Sequence, residues 1–240
     1  MDNSFKEKIV QEKAYENYKN SNPWPSDDDW HEATHSVIEN FVNRWIKKYI
    51  TEESICLNIG SGKTKYKTKG KLIQMDIIEE YIHDEPNYIV GSLENIPFED
   101  ESIDFIVCVG SVLNYCDAMR SISEISRTLR SNGRAIIEFE RSNSAEFLFN
   151  KNYGNTVFLN KYHYNNQEHS LWMYSEKYIK SLLEFYNLKI ESIYRFHILS
   201  SLMYRLGLDE KKASKYSKFD ASLQSFSYPI SHNIIIAIIK

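Results

Sequence analysis

The chain has 240 residues, with 29 Lys plus Arg against 33 Asp plus Glu, so its formal charge is −4. That length buries a core without disulfide or metal staples, and the weakly acidic balance argues against a binder of phosphate backbones. The start, MDNSFKEKIV, lacks a signal-peptide core, and the longest apolar run, IIIAII at 234–239, is far short of the ~20 residues of a membrane span.

A cytoplasmic chain without a membrane segment is therefore expected. Cys56, Cys108 and Cys116 show no CxxC spacing, and two lie in apolar runs, as buried thiols of a reducing compartment do. Residues 1–20 read as a polar helix, and the breaker NPWPSDDDW at 22–30 separates it from the next. From Trp30 to Tyr49 the apolar residues, including Val37, Ile38, Phe41, Val42, Trp45 and Ile46, form a helical stripe. The period then changes. SICLNIG (54–60), KLIQMD (71–76), YIVG (88–91), IDFIVCVG (103–110) and RAIIEFE (134–140) read as short buried strands of a parallel sheet. A helix at 118–133, stopped by Asn132-Gly133, joins the last two. Another follows at 175–187, and the last strands are KIESIYRFHI (189–198) and NIIIAII (233–239). Only eight residues separate Gly62 from Lys71, too few for an ordinary helical crossover, so a shortened first crossover is expected. No internal repeat is visible.

A strand ending in a glycine turn lets backbone N–H groups approach a ligand closely. An acid ending the next strand can accept ribose hydroxyls. LNIGSG (57–62) and Asp76 make that pair, although a structural tight turn uses the same residues. The segment 91–140, with GSLENIPFEDESIDFIVCVG followed by a helix, a glycine turn and a hydrophobic strand, resembles the second half of class I S-adenosylmethionine-dependent methyltransferases. The resemblance covers about residues 54–140, and more loosely 171–240.

The resemblance implies an α/β, Rossmann-like, seven-stranded, mostly parallel sheet with an antiparallel last strand pair. It implies a methyltransferase domain over 51–240, a helical N-terminal lid over 1–50, and substrate-facing insertions at 141–174 and 199–232. S-adenosylmethionine is the implied cofactor, with S-adenosylhomocysteine as product. Gly60, Ser61 and Gly62 would line its methionine and ribose part; Asp76 would take the ribose hydroxyls, and Ile77 would pack on adenine. Ser92, Leu93 and Glu94 would sit at the adenine edge, with Val109 and Gly110 under the sulfonium. Departures from the family pattern are Asn58 in place of an acid, which leaves an uncharged partner for the cofactor's amino group, Thr64 in place of a third glycine, Ser92 in place of an acid, and Tyr115 in place of a histidine. In the first insertion, TVFLNKYHY and HSLWMYS flank NNQE as a β-hairpin. Its aromatics, Tyr153, Tyr162, Tyr164, Trp172 and Tyr174, either wall a pocket or pack on the sheet.

His31-Glu32-Ala33-Thr34-His35 matches H-E-x-x-H, a zinc-hydrolase pattern, but no third ligand follows at a recognisable spacing. Packed-helix positions, or contacts to the site from a lid, are the other readings, the lid also for Tyr18, Trp24 and Trp30. Lys63, Lys65, Lys67, Lys69 and Lys71 alternate as on a solvated loop. The tip VGSVLNY lacks the motifs of base-methylating enzymes, and Asp117 alone makes no magnesium site, so no metal is expected. The reading is methyl transfer to an oxygen or nitrogen of a small molecule. Tyr115, His163, His169, His31 and His35 are the candidate bases. A non-catalytic subunit on the same fold is the alternative.

Overall fold

The computed structural model describes residues 3–19, 29–164 and 167–240. Residues 20–28, which hold most of the breaker at 22–30 with Trp24, and the hairpin tip at 165–166 lie outside the described residues. Two helices come first, α1 (Asn3–Tyr18) and α2 (Asp29–Tyr49). Then come β1 (Ile55–Ile59), β2 (Lys71–Asp76), β3 (Tyr88–Val90), β4 (Ile103–Cys108), α3 (Ala118–Thr128) and β5 (Leu129–Glu140). A hairpin of β6 (Val157–Tyr164) and β7 (Gln167–Tyr174) leads to α4 (Glu176–Phe185) and β8 (Lys189–Phe196). The chain ends with α5 (Leu199–Arg205), α6 (Glu210–Ser214), a 3-10 stretch at Lys215–Phe226, and β9 (Asn233–Ile239).

Seven strands form one sheet in the order β3-β2-β1-β4-β5-β9-β8. β1 to β5 run parallel, and β9 is antiparallel to both β5 and β8. Alternate side chains on the central strands serve the two faces. Phe105, Val107, Ile136, Ile235 and Ala237 meet α2 through Ile38, Phe41, Val42 and Ile46. Ile106, Cys108, Ile137 and Ile236 meet α3 and α4 through Ile122, Ile125, Ile179 and Leu183. Each fully buried aliphatic side chain contributes roughly 1.5–3 kcal/mol, so the α2 stripe alone fixes that helix across the sheet. All three cysteines are buried and free.

The β1–β2 crossover contains no helix, as its length requires. Its loop is held to the strands instead: the Asn58 amide donates to the Thr64 carbonyl at 3.2 Å and to Gln74 Oε1 at 2.9 Å. The five lysines of this segment are exposed.

One boundary differs from the sequence reading. α3 ends at Thr128 rather than at Asn132-Gly133, and β5 begins at once, with Leu129 paired to Ile103. Residues 130–133 form an irregularity in the strand between the Ile103 and Phe105 pairings, and Asn132 takes the positive φ there. A turn signal inside a strand thus reads like a helix stop.

Candidate active site

The carboxyl ends of β1, β2 and β4 open onto one cavity of about 210 Å³. Asn58, Gly60, Ser61, Gly62, Asp76, Ile77, Ser92, Leu93, Val109 and Gly110 all line it. Gly60 has φ +60°, and a Cβ there would stand 2.2 Å from Val112 Cγ2. Only glycine gives that conformation and that approach without strain. Asp76 sits across from the turn. Its Oδ2 accepts the Gly62 N–H at 2.8 Å and its Oδ1 accepts the Ile78 N–H at 3.0 Å. Burial raises its pKa, opposed by those same N–H groups. An ionised carboxylate has about four lone-pair sites, so two remain for hydroxyls of a ligand. The Ser61 hydroxyl is buried in the cavity wall without a protein partner.

Glu94 does not reach the cavity. Its Oε1 accepts the Asp117 N–H at 2.7 Å and the Gln11 amide at 2.5 Å, tying the turn to the start of α3 and to α1. α1 covers the mouth with Gln11, Ala14 and Tyr18, one helical face. It is tied further by the Lys13–Glu168 ion pair, by Asn17 donating to the Glu168 carbonyl at 3.0 Å, and by Tyr81 donating to the Tyr18 carbonyl.

The other end of the cavity was not foreseen. After β4, Gly110 and Ser111 both have positive φ. Their N–H groups converge on Glu138 Oε2 at 2.9 and 2.8 Å, a backbone nest for a carboxylate. The Asn233 amide donates to Glu138 Oε1 at 2.8 Å, and burial pushes this acid up to about 7. Two residues on, Glu140 lines the cavity. It accepts the Ser111 hydroxyl at 2.9 Å and lies 3.2 Å from His232 Nε2. The other His232 nitrogen faces Glu146 at 3.2 Å. Burial disfavours the imidazolium, yet Glu146 and Glu140 outweigh it and raise His232 to about 9. Burial likewise works to raise Glu140, but His232 and Ser111 hold it below the usual carboxylate range. The chain signal for this end was EFE at 138–140, two acids alternating on an otherwise apolar strand.

The candidate bases scatter. Tyr115 lines the cavity and shares a 2.9 Å hydrogen bond with the Tyr18 hydroxyl. Burial raises both phenols, so they stay protonated near neutrality. His31 lines the cavity with Thr34 and Trp30. His35 points instead to Glu39, 4.0 Å away. His163 is exposed on β6, paired across the hairpin with Glu168. His169 is buried behind the wall, 5.4 Å from the Tyr162 ring and 5.7 Å from that of Tyr18. Of the hairpin aromatics, Tyr162 faces the cavity. Tyr153 and Tyr174 donate to the Pro229 and Cys116 carbonyls, and Trp172 packs on the sheet core. Among the described residues no group of three or more His, Cys, Asp or Glu is placed to hold a metal ion, His31 and His35 included. Among them, too, no helix is long and apolar enough to cross a membrane.

Residues 57–137 match a family model described as a methyltransferase domain. No curated protein matches the chain in sequence. Solved structures do match in fold. The PH0226 protein of Pyrococcus horikoshii aligns at a TM-score of 0.60 and 12% identity, over 93% of this chain and 98% of its own. A methyltransferase of Archaeoglobus fulgidus, S-adenosylmethionine-dependent, aligns at 0.55 and 14%, over 85% and 94%. Geranyl diphosphate C-methyltransferase of Streptomyces coelicolor, solved with Mg2+, geranyl diphosphate and S-adenosyl-L-homocysteine, aligns at 0.57 and 11%, over 96% and 98%. Identities this low establish likeness of fold. Residues 57–137, from β1 into β5, thus match a methyltransferase domain, and the fold around them is like that of the S-adenosylmethionine-dependent methyltransferase from Archaeoglobus fulgidus. The cavity suits that cofactor: a glycine approach that a Cβ would block, an acid with two free acceptor sites, and a buried hydroxyl awaiting a partner.

Proposed function

We propose that the chain transfers a methyl group from S-adenosylmethionine to an oxygen or nitrogen of a small-molecule acceptor in the cytoplasm. The observation that carries this reading is the continuity of one cavity, from the Gly60–Gly62 turn and Asp76 to Glu140, His31 and Tyr115. Cofactor and acceptor then share one space under α1 and the start of α2, which act as the lid formed by residues 1–50.

The cofactor, when bound, supplies an electrophilic methyl carbon on a sulfonium. Asp76 would accept hydrogen bonds from the ribose hydroxyls, the Gly60–Gly62 backbone would line the ribose and methionine portion, Ile77 would pack on the base, and Ser92 and Leu93 would sit at its edge. Asn58 spends its amide hydrogens within the protein, so its carbonyl oxygen is what it offers to a ligand amino group. Val109 and Gly110 form the floor below the reacting centre. Tyr18 and Tyr115 present neutral phenols, which orient an acceptor rather than deprotonate it. Glu140, held ionised by His232, is the cavity group able to accept a hydrogen bond from an acceptor's O–H or N–H. Covering by α1 excludes water from the transfer.

The test is incubation with methyl-labelled S-adenosylmethionine and a panel of phenols, alcohols and amines. S-adenosylhomocysteine formation that depends on an added small molecule, and is absent in Asp76→Ala, supports the reading. Binding of S-adenosylhomocysteine with no turnover on any acceptor favours a non-catalytic subunit. Absence of binding by folded protein removes the cofactor assignment for this site.

A further inference from the structure

We infer that the Glu140 end of the cavity is a subsite for an ammonium group, and that the acceptor is a small molecule carrying a protonated amine. This deepens the proposed function and rests on it. Three independent features of the cavity point the same way.

The first is the sign of the lining. Among the described residues, the lining contains two carboxylates, Asp76 and Glu140, and no Lys or Arg. Asp76 belongs to the glycine turn, where it holds two backbone N–H groups. Glu140 is therefore the carboxylate left for the acceptor. The cation among the described lining residues is the His232 imidazolium, and it is already engaged by Glu140 and Glu146.

The second is incomplete neutralisation. The imidazole beside Glu140 is shared: His232 Nε2 faces Glu140 and Nδ1 faces Glu146, each at 3.2 Å. One imidazolium thus stands between two carboxylates. Glu140 Oε1 holds the Ser111 hydroxyl, and both oxygens retain acceptor capacity toward the cavity. An N–H donor of positive charge forms the stronger, charge-assisted bond there.

The third is the wall. Tyr18, Trp30, Tyr115 and Tyr162 line the same cavity. Tyr18 and Tyr115 are near enough to Glu140 to feel its charge, and Tyr162 is near Tyr115, which places these rings at the Glu140 end. Aromatic faces attract ammonium groups through their quadrupole, most strongly in desolvated sites. Trp30 and Tyr162 each give one face to a histidine, His197 and His169, which leaves Tyr18 and Tyr115 as the rings that feel the Glu140 charge, and a carboxylate beside aromatic rings is a combination that recognises an organic cation.

The experiment is calorimetric titration of the protein saturated with S-adenosylhomocysteine. The probes are phenethylamine, phenethyl alcohol and phenylacetate, which share a skeleton and differ in charge. The amine is expected to bind about tenfold or more tightly than the alcohol, with the acid weakest. In Glu140→Gln the amine's advantage is expected to vanish, while S-adenosylhomocysteine affinity stays within about twofold. Equal binding of amine and alcohol by the wild type, no amine binding at millimolar concentration, or an amine preference that survives Glu140→Gln each overturns the subsite. Should Glu140→Gln fail to fold, the wild-type ranking of the three probes decides alone. A Glu140→Gln effect on S-adenosylmethionine affinity with the amine preference intact also overturns it, since Glu140 would then serve the sulfonium. Failure of S-adenosylhomocysteine itself to bind is a separate outcome that strikes the cofactor reading. The amine arm run without it still ranks the probes.

Discussion

Asp76 joins fold and function in one side chain, so its replacement has two separable effects. In Asp76→Ala the N–H groups of Gly62 and Ile78, now bonded at 2.8 and 3.0 Å, lose their acceptor in a buried site. Each orphaned donor costs about 1–3 kcal/mol, so a loss of about 2–6 kcal/mol in stability is expected before water enters. The ligand loses charge-assisted bonds to its ribose hydroxyls. At about 1.5–3 kcal/mol in total, that is roughly 10- to 100-fold in affinity for S-adenosylhomocysteine. Asp76→Asn is not conservative here, because an amide oxygen satisfies one N–H while its NH2 opposes the other. Its stability is expected between wild type and alanine. Thermal unfolding reads the first effect, and calorimetric titration reads the second. Adenosine against 2′-deoxyadenosine separates direct from indirect loss: wild type prefers adenosine, and both variants lose the preference. A folded Asp76→Ala that keeps that preference, or binds S-adenosylhomocysteine within about threefold of wild type, refutes the assignment.

Gly60→Ala is expected to abolish S-adenosylhomocysteine binding and lower the thermal midpoint, because its Cβ would lie 2.2 Å from Val112 Cγ2 at φ +60°. Adding Val112→Ala should restore part of both, and wild-type behaviour of the single variant would contradict the geometry. His232 has a folded pKa of about 9 against an ordinary 6.5, so its contribution is full below 6.5 and is lost as pH rises through 9. Glu138, at about 7 when folded, acts in the same direction but only up to pH 7. Stability should therefore fall between pH 7 and 9 by at most about 1.4 kcal/mol per unit, and His232→Gln should flatten that slope in denaturant titrations. Glu176 accepts from Arg141 at 2.7 Å and from Arg195 at 2.5 Å, with Arg141 wholly buried. Glu176→Ala should cost about 3–5 kcal/mol by leaving Arg141 uncompensated, and a loss below ~1 kcal/mol in chemical denaturation would show that water solvates the site.

Much of the glycine-turn end of the cavity was legible because it is local. A strand, a glycine turn and an acid ending the next strand each leave a mark within a few residues, and Gly60, Gly62 and Asp76 come together through the β1–β2 pairing of Ile59 with Met75. Glu94 was misread because sequence locates its turn but not which way the side chain leaves it; the unpaired N–H of Asp117 at the start of α3 captured it. Glu140 and His232, at the other end of the cavity, were not legible for a different reason. Glu140 and His232 are distant in sequence and meet because β9 runs antiparallel beside β5, with Glu140 opposite Asn233. Register over so long a separation leaves no periodicity to read, although two acids on a buried strand did announce that partners had to exist.

The histidine pair on α2 shows how one helix gives two residues of a motif different work. α2 lies along the sheet through Ile38, Phe41, Val42 and Ile46, the i, i+3, i+4, i+8 stripe that packs on Phe105 and Ile136. Glu138 and Glu140 project from the same face of β5 as Ile136, because alternate residues share a face. The first turns of α2 therefore overhang the carboxyl edge where those acids end. Trp30, His31 and Thr34, three and four residues apart, turn into the cavity, while His35 faces Glu39 one turn on and Glu32 is exposed. A zinc site needs both histidines on one centre. The packing stripe instead sends one to the cavity and the other to the flank of the helix. Thr34 then anchors this overhang, its hydroxyl 2.7 Å from His197 Nε2, while the Trp30 ring stacks on the same imidazole at 4.1 Å. Burial, with help from His232 and His31, keeps His197 neutral, so the contact holds α2 to the end of β8 without adding charge to the cavity.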